Sequence, residues 1–293
     1  MRPQIVCLTS FANDLGESLH WDAGRGRLLW IDAWAGLVFA YDPATGAIQR
    51  TDFAAALGGR PIGSIASSDT EALIGGVRGG FYRLDMATGD ARLLAPVEAD
   101  RPASNRLNDG KCDGAGRFWC VSINTDHRTP SGALWRFARN QNPRLMEDGI
   151  IAGNGIAWSP DKRSMYLADS FRAEIWKYDF DLEQGEIADR RLFAQTPAPG
   201  LPDGATVDAD GCYWTALFRG GAVAQFDPDG KLMNSIALPV ANPTMCNFGG
   251  ADLDILYVTS ASRFSDAAQP QAGHLFAIEG LGVRGLADAK FQM

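Results

Sequence analysis

Residues 28–46 read LLWIDAWAGLVFAYDPATG and contain two strand signatures separated by a short turn. The first, LLWID, is an aromatic and apolar run that ends before small residues. The second, VFAYDPATG, alternates along its length and ends in Asp-Pro and Thr-Gly. Glycine permits positive φ, proline presets the turn, and the aspartate side chain caps backbone amides. The stretch therefore predicts an antiparallel β-hairpin.

This pair of signatures recurs six times along the 293 residues. The first signature begins at Leu28, Ala72, Phe118, Met165, Cys212 and Leu256. The aspartates that end the second signature are Asp42, Asp85, Asp179 and Asp227. Their separations of 43 residues, 94 residues across two modules, and 48 residues indicate a period near 47. Only residues 54–57 and 286–290 have a helical pattern, and both segments are short.

Six modules of this length predict an all-β fold, a six-bladed β-propeller with four antiparallel strands per blade, as a single domain over residues 1–293. The alternative is a generic all-β domain with coincidental self-similarity. The innermost strands should begin near Glu17, Ser64, Asn108, Asn154, Asp203 and Thr244. Residues 5–8 should form a strand that completes the last blade, because an open ring would leave unpaired edges.

Composition excludes several classes of partner. The formal net charge is −8 and no Lys/Arg run is present, so neither nucleic acid nor a membrane surface is expected to bind. No segment has the length of about 20 apolar residues that a membrane helix requires, and the N-terminus lacks a basic segment followed by an apolar run. Five widely spaced cysteines indicate free thiols and a cytoplasmic protein. We expect a monomer or weak homo-oligomer that acts on a small molecule.

Four polar residues in glycine-flanked contexts precede the first signature at a near-constant distance. Glu17 and Asn154 lie 12 residues before Leu29 and Tyr166, and Asn108 and Asp203 lie 11 residues before Trp119 and Trp214. Such offsets predict equivalent positions at one end of the central channel. Two carboxylates and two amides gathered there would repel one another unless a cation is bound. The alternative is that they are ordinary turn dipeptides, although glutamate is no preferred turn residue.

Several motifs in chain order identify a family. They are Gly16-Glu17-Ser18, NRLNDGK at residues 105–111, NGIAWS at 154–159, LPDG at 201–204 and CNFGG at 246–250. With them the chain resembles the senescence-marker-protein/gluconolactonase/luciferin-regenerating-enzyme family, which includes regucalcin, from about Leu15 to residues 280–283. The resemblance implies a six-bladed propeller that binds one divalent cation and hydrolyses sugar lactones.

By motif position, the resemblance assigns metal ligation to Glu17, Asn154 and Asp203, and substrate contact to Arg106 and Asn108. The chain departs from the family at Val121-Ser122-Ile123, where many members have Gly-Thr-Met. We expect this loop, residues 121–130, at the pocket rim, where its difference would alter sugar specificity. His127 is the one histidine there that we connect with substrate; the alternative is a solvated loop residue.

Lactone hydrolysis requires a nucleophilic water and stabilisation of charge on the carbonyl oxygen, and a bound cation supplies both. Asp203 is the candidate catalytic base as well as a ligand. Oxygen ligation admits calcium, zinc, manganese, magnesium or iron(II). Arg106 offers donors for ring hydroxyls or an oxyanion; the alternative is a surface ion pair.

Three other functions remain open: promiscuous ester or organophosphate hydrolysis, a calcium-binding regulatory role, and an interaction platform. Serines show no Gly-x-Ser-x-Gly elbow, which disfavours a serine hydrolase. Residues 75–80 are glycine-rich but lack the Gly-Lys-Ser/Thr ending of a phosphate loop, so they predict a hairpin.

Overall fold

The computed structural model describes residues 3–265 and 268–293. Its strands form six sheets, each of four antiparallel strands, and the sheets are the blades of a propeller. The predicted fold class is confirmed. The only helical element in the described ranges is a 3-10 turn at Ser170–Arg172. None of the described helical structure is long and apolar enough to cross a membrane.

Blades 1 to 5 each contain four consecutive strands, listed here from the channel outward. Blade 1 contains β2 (Gly16–Asp22), β3 (Arg27–Asp32), β4 (Leu37–Tyr41) and β5 (Ile48–Asp52), and blade 2 contains β6 (Ile62–Ser67), β7 (Leu73–Val77), β8 (Gly80–Leu84) and β9 (Ala91–Pro96). Blade 3 contains β10 (Asn105–Cys112), β11 (Phe118–Asn124), β12 (Gly132–Phe137) and β13 (Arg144–Ile150). Blade 4 contains β14 (Gly153–Trp158), β15 (Ser164–Asp169), β16 (Glu174–Asp181) and β17 (Glu186–Gln195), and blade 5 contains β18 (Leu201–Val207), β19 (Tyr213–Phe218), β20 (Ala222–Phe226) and β21 (Leu232–Ala237).

Blade 6 combines both ends of the chain. It contains β22 (Pro243–Gly249), β23 (Ile255–Ser260), β24 (Phe276–Glu279) and β1 (Gln4–Cys7). β1 pairs antiparallel with β24, with Gln4 opposite Glu279. This pairing confirms the predicted closure by the N-terminal strand, which covers residues 4–7 and not 5–8.

Apolar packing between blades holds the ring together. The innermost strands of adjacent blades contact one another around the whole ring, and β2 of blade 1 contacts β22 of blade 6. Six apolar clusters fill the six interfaces between blades. Strand β3 is buried along almost its whole length, whereas the outer strand β5 is largely exposed. Strands with both faces covered need continuous apolar runs, which explains the first signature.

Every innermost strand contains an irregularity near the same end. The register with the second strand shifts between Glu17/His20, Ile62/Ser64, Leu107/Gly110, Asn154/Ala157, Pro202/Ala205 and Pro243/Met245. A bulge of this kind adds unpaired residues and redirects their side chains, and bulges are frequent beside active sites. A β-bulge therefore shapes the same end of the innermost strand in every blade.

The bulges correct one prediction. Glu17 and Asn154 are the last paired residues before their bulges, whereas Asn108 and Asp203 are the first residues inside theirs. The four residues thus occupy two adjacent positions and not the single equivalent position that the offsets predicted. Neighbouring residues on a regular strand point to opposite faces, so the bulge is what allows both positions to face the channel.

Candidate active site

A cavity of about 190 Å³ lies at the bulged end of the channel. Its lining includes all five residues singled out from the sequence: Glu17, Arg106, Asn108, Asn154 and Asp203. Four of them are buried, and Glu17 is partly exposed. The residues come from the innermost strands of blades 1, 3, 4 and 5, so the fold brings together groups that are far apart in the chain.

A continuous chain of hydrogen bonds fixes the amides. Arg106 donates from Nη1 to Asn108 Oδ1 at 2.7 Å, and Asn108 donates from Nδ2 to Asn154 Oδ1 at 2.9 Å. Asn154 donates from Nδ2 to Ser170 Oγ at 2.8 Å, and Ser170 donates to the carbonyl of Pro202 at 2.7 Å. The chain ends beside Asp203. Each amide side chain therefore has a defined orientation toward the cavity.

Ser170 was missed by the sequence reasoning as a site residue. It lines the cavity and is buried. A signal was available, because it directly follows the first signature of blade 4, where that strand reaches the bulged end.

The carboxylates of the site are not neutralised by protein partners. Burial, and then the charge of Asp109, raise the pKa of Glu17 to about 8, although Arg106 acts in the opposite direction. Burial raises the pKa of Asp203 as well, and the charges of Glu17 and Asp109 add to this effect. Asp203 Oδ1 is buried and has no hydrogen-bond partner in the described part of the chain. A buried acceptor without a partner is costly unless a ligand satisfies it.

Asp109 is a third buried carboxylate that the sequence reasoning did not assign. It accepts a hydrogen bond from the backbone amide of Ile156 at 2.8 Å. Its own pKa is raised by burial. Asp109 therefore ties blade 3 to blade 4 and adds negative potential beneath the cavity.

The donor set fits a divalent cation. Glu17 and Asp203 provide two carboxylates, the charge of Glu17 raises the pKa of Asp203, and Asn154 lines the same cavity. Within residues 3–265 and 268–293, no three or more His, Cys, Asp or Glu side chains are grouped as a metal site. Two carboxylates and an amide oxygen are instead the hard oxygen donors that calcium and magnesium accept.

Two buried aspartates hold the chain just before Glu17 and just before Asn154. Asp32 accepts hydrogen bonds from the backbone amides of Asp14 and Leu15, just before Glu17, at 2.8 and 3.2 Å. Asp169 accepts them from the backbone amides of residues 151 and 152, just before Asn154, at 2.9 and 3.1 Å. Both aspartates are the last residue of the first signature, in blade 1 and in blade 4. These are the two blades in which the candidate ligand, Glu17 or Asn154, lies just before the bulge. This shared ending was visible in the sequence but was not assigned a role.

Arg106 is buried, and its guanidinium lies over the ring of Trp34, 5.2 Å from the centroid. It forms no ion pair with a described carboxylate. The alternative of a surface ion pair is therefore wrong. Glu17 and Asp203 nevertheless act on Arg106 electrostatically.

The segment at residues 121–130 is only partly a loop, because β11 extends to Asn124. Ile123 and His127 both line the cavity. His127 is exposed but its ring stacks on Phe171 with centroids 4.7 Å apart. Burial of the ring and the charges of Arg106 and Arg219 lower its pKa. His127 is therefore a fixed part of the cavity mouth.

None of the five cysteines lines the cavity, and all five are free thiols. Burial raises the pKa of Cys120 and Cys246, the latter to about 12, so these thiols stay protonated near neutral pH. The glycine-rich segment at residues 75–80 forms the β7–β8 hairpin, as predicted.

Residues 15–262 match the model of the SMP-30/Gluconolactonase/LRE-like region. The class defined by fold and site is thus a six-bladed propeller of the gluconolactonase type, and the chain belongs to this family. Regucalcin of Xenopus laevis is 33% identical over 299 residues, which cover 98% of each chain.

Two solved structures have a TM-score of 0.90. One is a luciferin-regenerating enzyme, 26% identical, with 99% of this chain and 100% of that chain covered. The other is described as a calcium-binding protein, regucalcin, from Agrobacterium tumefaciens; it is 25% identical, with 98% and 97% covered.

Proposed function

We propose that this protein hydrolyses a sugar lactone, an aldonolactone or a close relative, to the sugar acid, with one divalent cation held by Glu17, Asn154 and Asp203. The observation that carries the proposal is the unpartnered Asp203 Oδ1 in a cavity that also contains Glu17 and Arg106. Membership of the family supports lactone hydrolysis in general. The calcium-binding relatives favour calcium, and zinc, manganese, magnesium and iron(II) remain compatible with the ligand types.

In this proposal the cation, when bound, supplies Lewis-acid polarisation of the lactone carbonyl and a lowered pKa for water. Asp203 accepts the proton of the attacking water at Oδ1, the oxygen that has no protein partner. The water oxygen bonds to the carbonyl carbon, the bond from that carbon to the ring oxygen breaks, and Asp203 returns the proton to the ring oxygen. The product is an open-chain hydroxy acid.

Arg106 and Asn108 orient the substrate in this proposal. Their mutual hydrogen bond leaves other guanidinium donors of Arg106 for substrate oxygens. Arg106 also carries a positive charge near Glu17 and Asp203, which favours their ionised forms. Pre-organised donors of this kind stabilise charge that develops on oxygen during reaction.

The test is a panel of aldonolactones (glucono-, xylono-, arabino- and galactonolactone) assayed after chelation and again with each cation restored. We expect chelation to abolish hydrolysis and one or more cations to restore it. Full activity after metal removal, verified by elemental analysis, would contradict the metal-dependent mechanism.

The second candidate is a calcium-binding regulatory protein without catalytic activity. The unneutralised carboxylates support cation binding, and a calcium-binding regulatory protein needs a cation as much as a metal-dependent enzyme does. Calcium binding together with no hydrolysis of any lactone with any cation would establish this reading. Promiscuous ester or organophosphate hydrolysis would appear as turnover of aryl esters or phosphotriesters that exceeds turnover of lactones.

We also propose that the protein is cytoplasmic and acts as a monomer or weak homo-oligomer. Five free thiols support a reducing compartment.

A further inference from the structure

We propose that the lactone carries a second, anionic group remote from its reacting carbonyl, a carboxylate, and that Arg219 binds it. This inference rests on the proposed lactonase function and specifies its substrate class: an aldarolactone in preference to an aldonolactone.

The charge of the cavity favours an anionic ligand. Three arginines line it, namely Arg106, Arg219 and Arg263, in a protein whose formal net charge is −8. The two lining carboxylates, Glu17 and Asp203, would be balanced by a divalent cation. The mouth is then positive, and a positive cleft on an acidic protein concentrates anions at that point.

Two of these three arginines already have partners. Arg263 donates from Nε and Nη2 to Asp14 Oδ2, at 2.9 and 2.6 Å. Arg106 donates to Asn108 and lies over Trp34. Arg219 forms no ion pair with any carboxylate in residues 3–265 or 268–293. Its guanidinium lies only over the ring of Phe218, 5.9 Å from the centroid.

The backbone at Arg219 is held in a turn. It occupies the turn between β19 and β20 with φ of 64°, a left-handed conformation in which glycine is the common choice. The turn is anchored, because the backbone amide of Arg219 donates to Oδ1 of the buried Asn242 at 3.3 Å, and Asn242 Nδ2 donates to Ser265 Oγ at 3.1 Å. The anchored turn fixes the backbone of Arg219, and its exposed side chain stands at the mouth of the cavity.

Arg219 lies further toward the mouth of the cavity than Asp203. Leu201, the first residue of β18, pairs with Phe218, so Arg219 stands beyond the start of the strand that carries Asp203. Arg219 is exposed there, whereas Asp203 is buried. The charges of Arg106 and Arg219 both act on His127, which lines the same mouth. A ligand that extends from Asp203 to Arg219 therefore has its reacting carbonyl near Asp203 and an anionic group near Arg219.

A carboxylate fits this position best. The planar guanidinium pairs with a carboxylate through two parallel hydrogen bonds, and such charge-assisted bonds are stronger than those to a hydroxyl. An aldarolactone differs from the corresponding aldonolactone by having a carboxylate in place of the terminal hydroxymethyl group. The two compounds therefore form a matched pair of probes.

The experiment compares kcat/KM for glucarolactone and gluconolactone at the same saturating cation. We expect the wild type to prefer glucarolactone. Arg219→Gln should lower the ratio of the two kcat/KM values by about 10- to 100-fold, the loss expected for a charge-assisted hydrogen bond. Arg219→Lys should give an intermediate ratio. Arg128→Gln is the matched control, because Arg128 is exposed on the neighbouring loop and does not line the cavity, and it should leave the ratio unchanged.

A binding measurement is independent of turnover. At saturating calcium, glucarate should bind the wild type about tenfold more tightly than gluconate, and Arg219→Gln should remove the difference. If no lactone is hydrolysed but glucarate binding depends on Arg219, the lactonase proposal fails and the anion site stands.

Three outcomes would overturn the inference: equal or better use of gluconolactone by the wild type, an equal effect of Arg219→Gln on both lactones, or a preference for 6-phosphogluconolactone over glucarolactone, which would assign the site to phosphate.

Discussion

The two ends of the central channel differ in how their carboxylates are satisfied. At the end away from the bulges, Asp22 accepts a hydrogen bond from Lys290 at 3.0 Å, and Lys111 donates to the carbonyl of Ala205 at 3.0 Å. Asp288 accepts hydrogen bonds from the backbone amide of Trp21 and from the side chain of Asn247. At the bulged end, Asp203 Oδ1 has no partner in the part of the chain that the structure describes.

The larger of the two cavities is not the one that contains the unpartnered carboxylate. The cavity that Lys111 and Asp288 line measures about 380 Å³, twice the volume of the cavity around Glu17 and Asp203. Burying a charge is costly unless it is paired. The carboxylates at the Lys111 end are paired within the protein, whereas the burial of Asp203 without a partner requires another explanation. The unpaired carboxylates, and not the larger volume, therefore indicate where a ligand binds.

The largest effect should come from Asp203→Asn. The substitution keeps an oxygen ligand but removes the proton acceptor, so turnover at saturating cation should fall about 100-fold or more. Steady-state kinetics across cation concentrations checks this. The matched variant at the paired end is Asp288→Asn, which should lower the free energy of unfolding by about 1–3 kcal/mol while turnover of the folded protein remains near the wild-type value. If Asp203→Asn hydrolyses lactones at the wild-type rate, Asp203 is a metal ligand only and not the catalytic base.

Arg106→Ala should lower kcat/KM by about 10- to 100-fold, since one charge-assisted hydrogen bond is lost. Calcium affinity should change little, because Arg106 is assigned to the substrate and not to the cation. Kinetics and calorimetry on the same preparation separate the two effects. Unchanged kinetics would remove Arg106 from the substrate site.

Asp169→Asn should weaken calcium binding by about tenfold, because one of the two backbone amides before Asn154 loses its acceptor. Isothermal calorimetry measures the change. Asp179→Asn serves as the control, since Asp179 lies in the same blade and forms an exposed ion pair with Arg191. Equal affinities in all three proteins would show that Asp169 does not position Asn154.

The smallest effect concerns pH and the metal-free protein. The pKa of Glu17 rises on folding from 4.5 to about 8, so the folded state takes up a proton between these values. The free energy of unfolding should therefore fall as pH rises through this window, and Glu17→Gln should lack this contribution. At pH 8 without cation, the variant should be more stable than the wild type by about 1–3 kcal/mol. Thermal unfolding in chelator at pH 5 and pH 8 tests this, and parallel pH dependence of the two proteins would exclude it.

Local features of the chain were sufficient to predict the architecture. Turn residues such as Asp42-Pro43 and the apolar runs act on neighbouring residues, so hairpins and their period of about 47 residues are visible without tertiary contacts. The five candidate site residues were chosen from their offsets and from the family motifs, and all five line one cavity. The offsets predicted a single equivalent position, and only the strand pairing showed that Glu17 and Asn108 occupy two adjacent ones.

What the sequence alone determined, then, was the repeat, its turns and the closure by an N-terminal strand, which was predicted at residues 5–8 and lies at 4–7. It also identified the polar residues that gather at one end of the channel. Only the tertiary structure decided which buried charges have partners. Asn108 and Asn154 are 46 residues apart, and Arg219 reaches the same mouth as His127 from another blade. The reason is physical: hydrogen bonding and desolvation depend on distances between blades, and those distances exist only once the ring has closed.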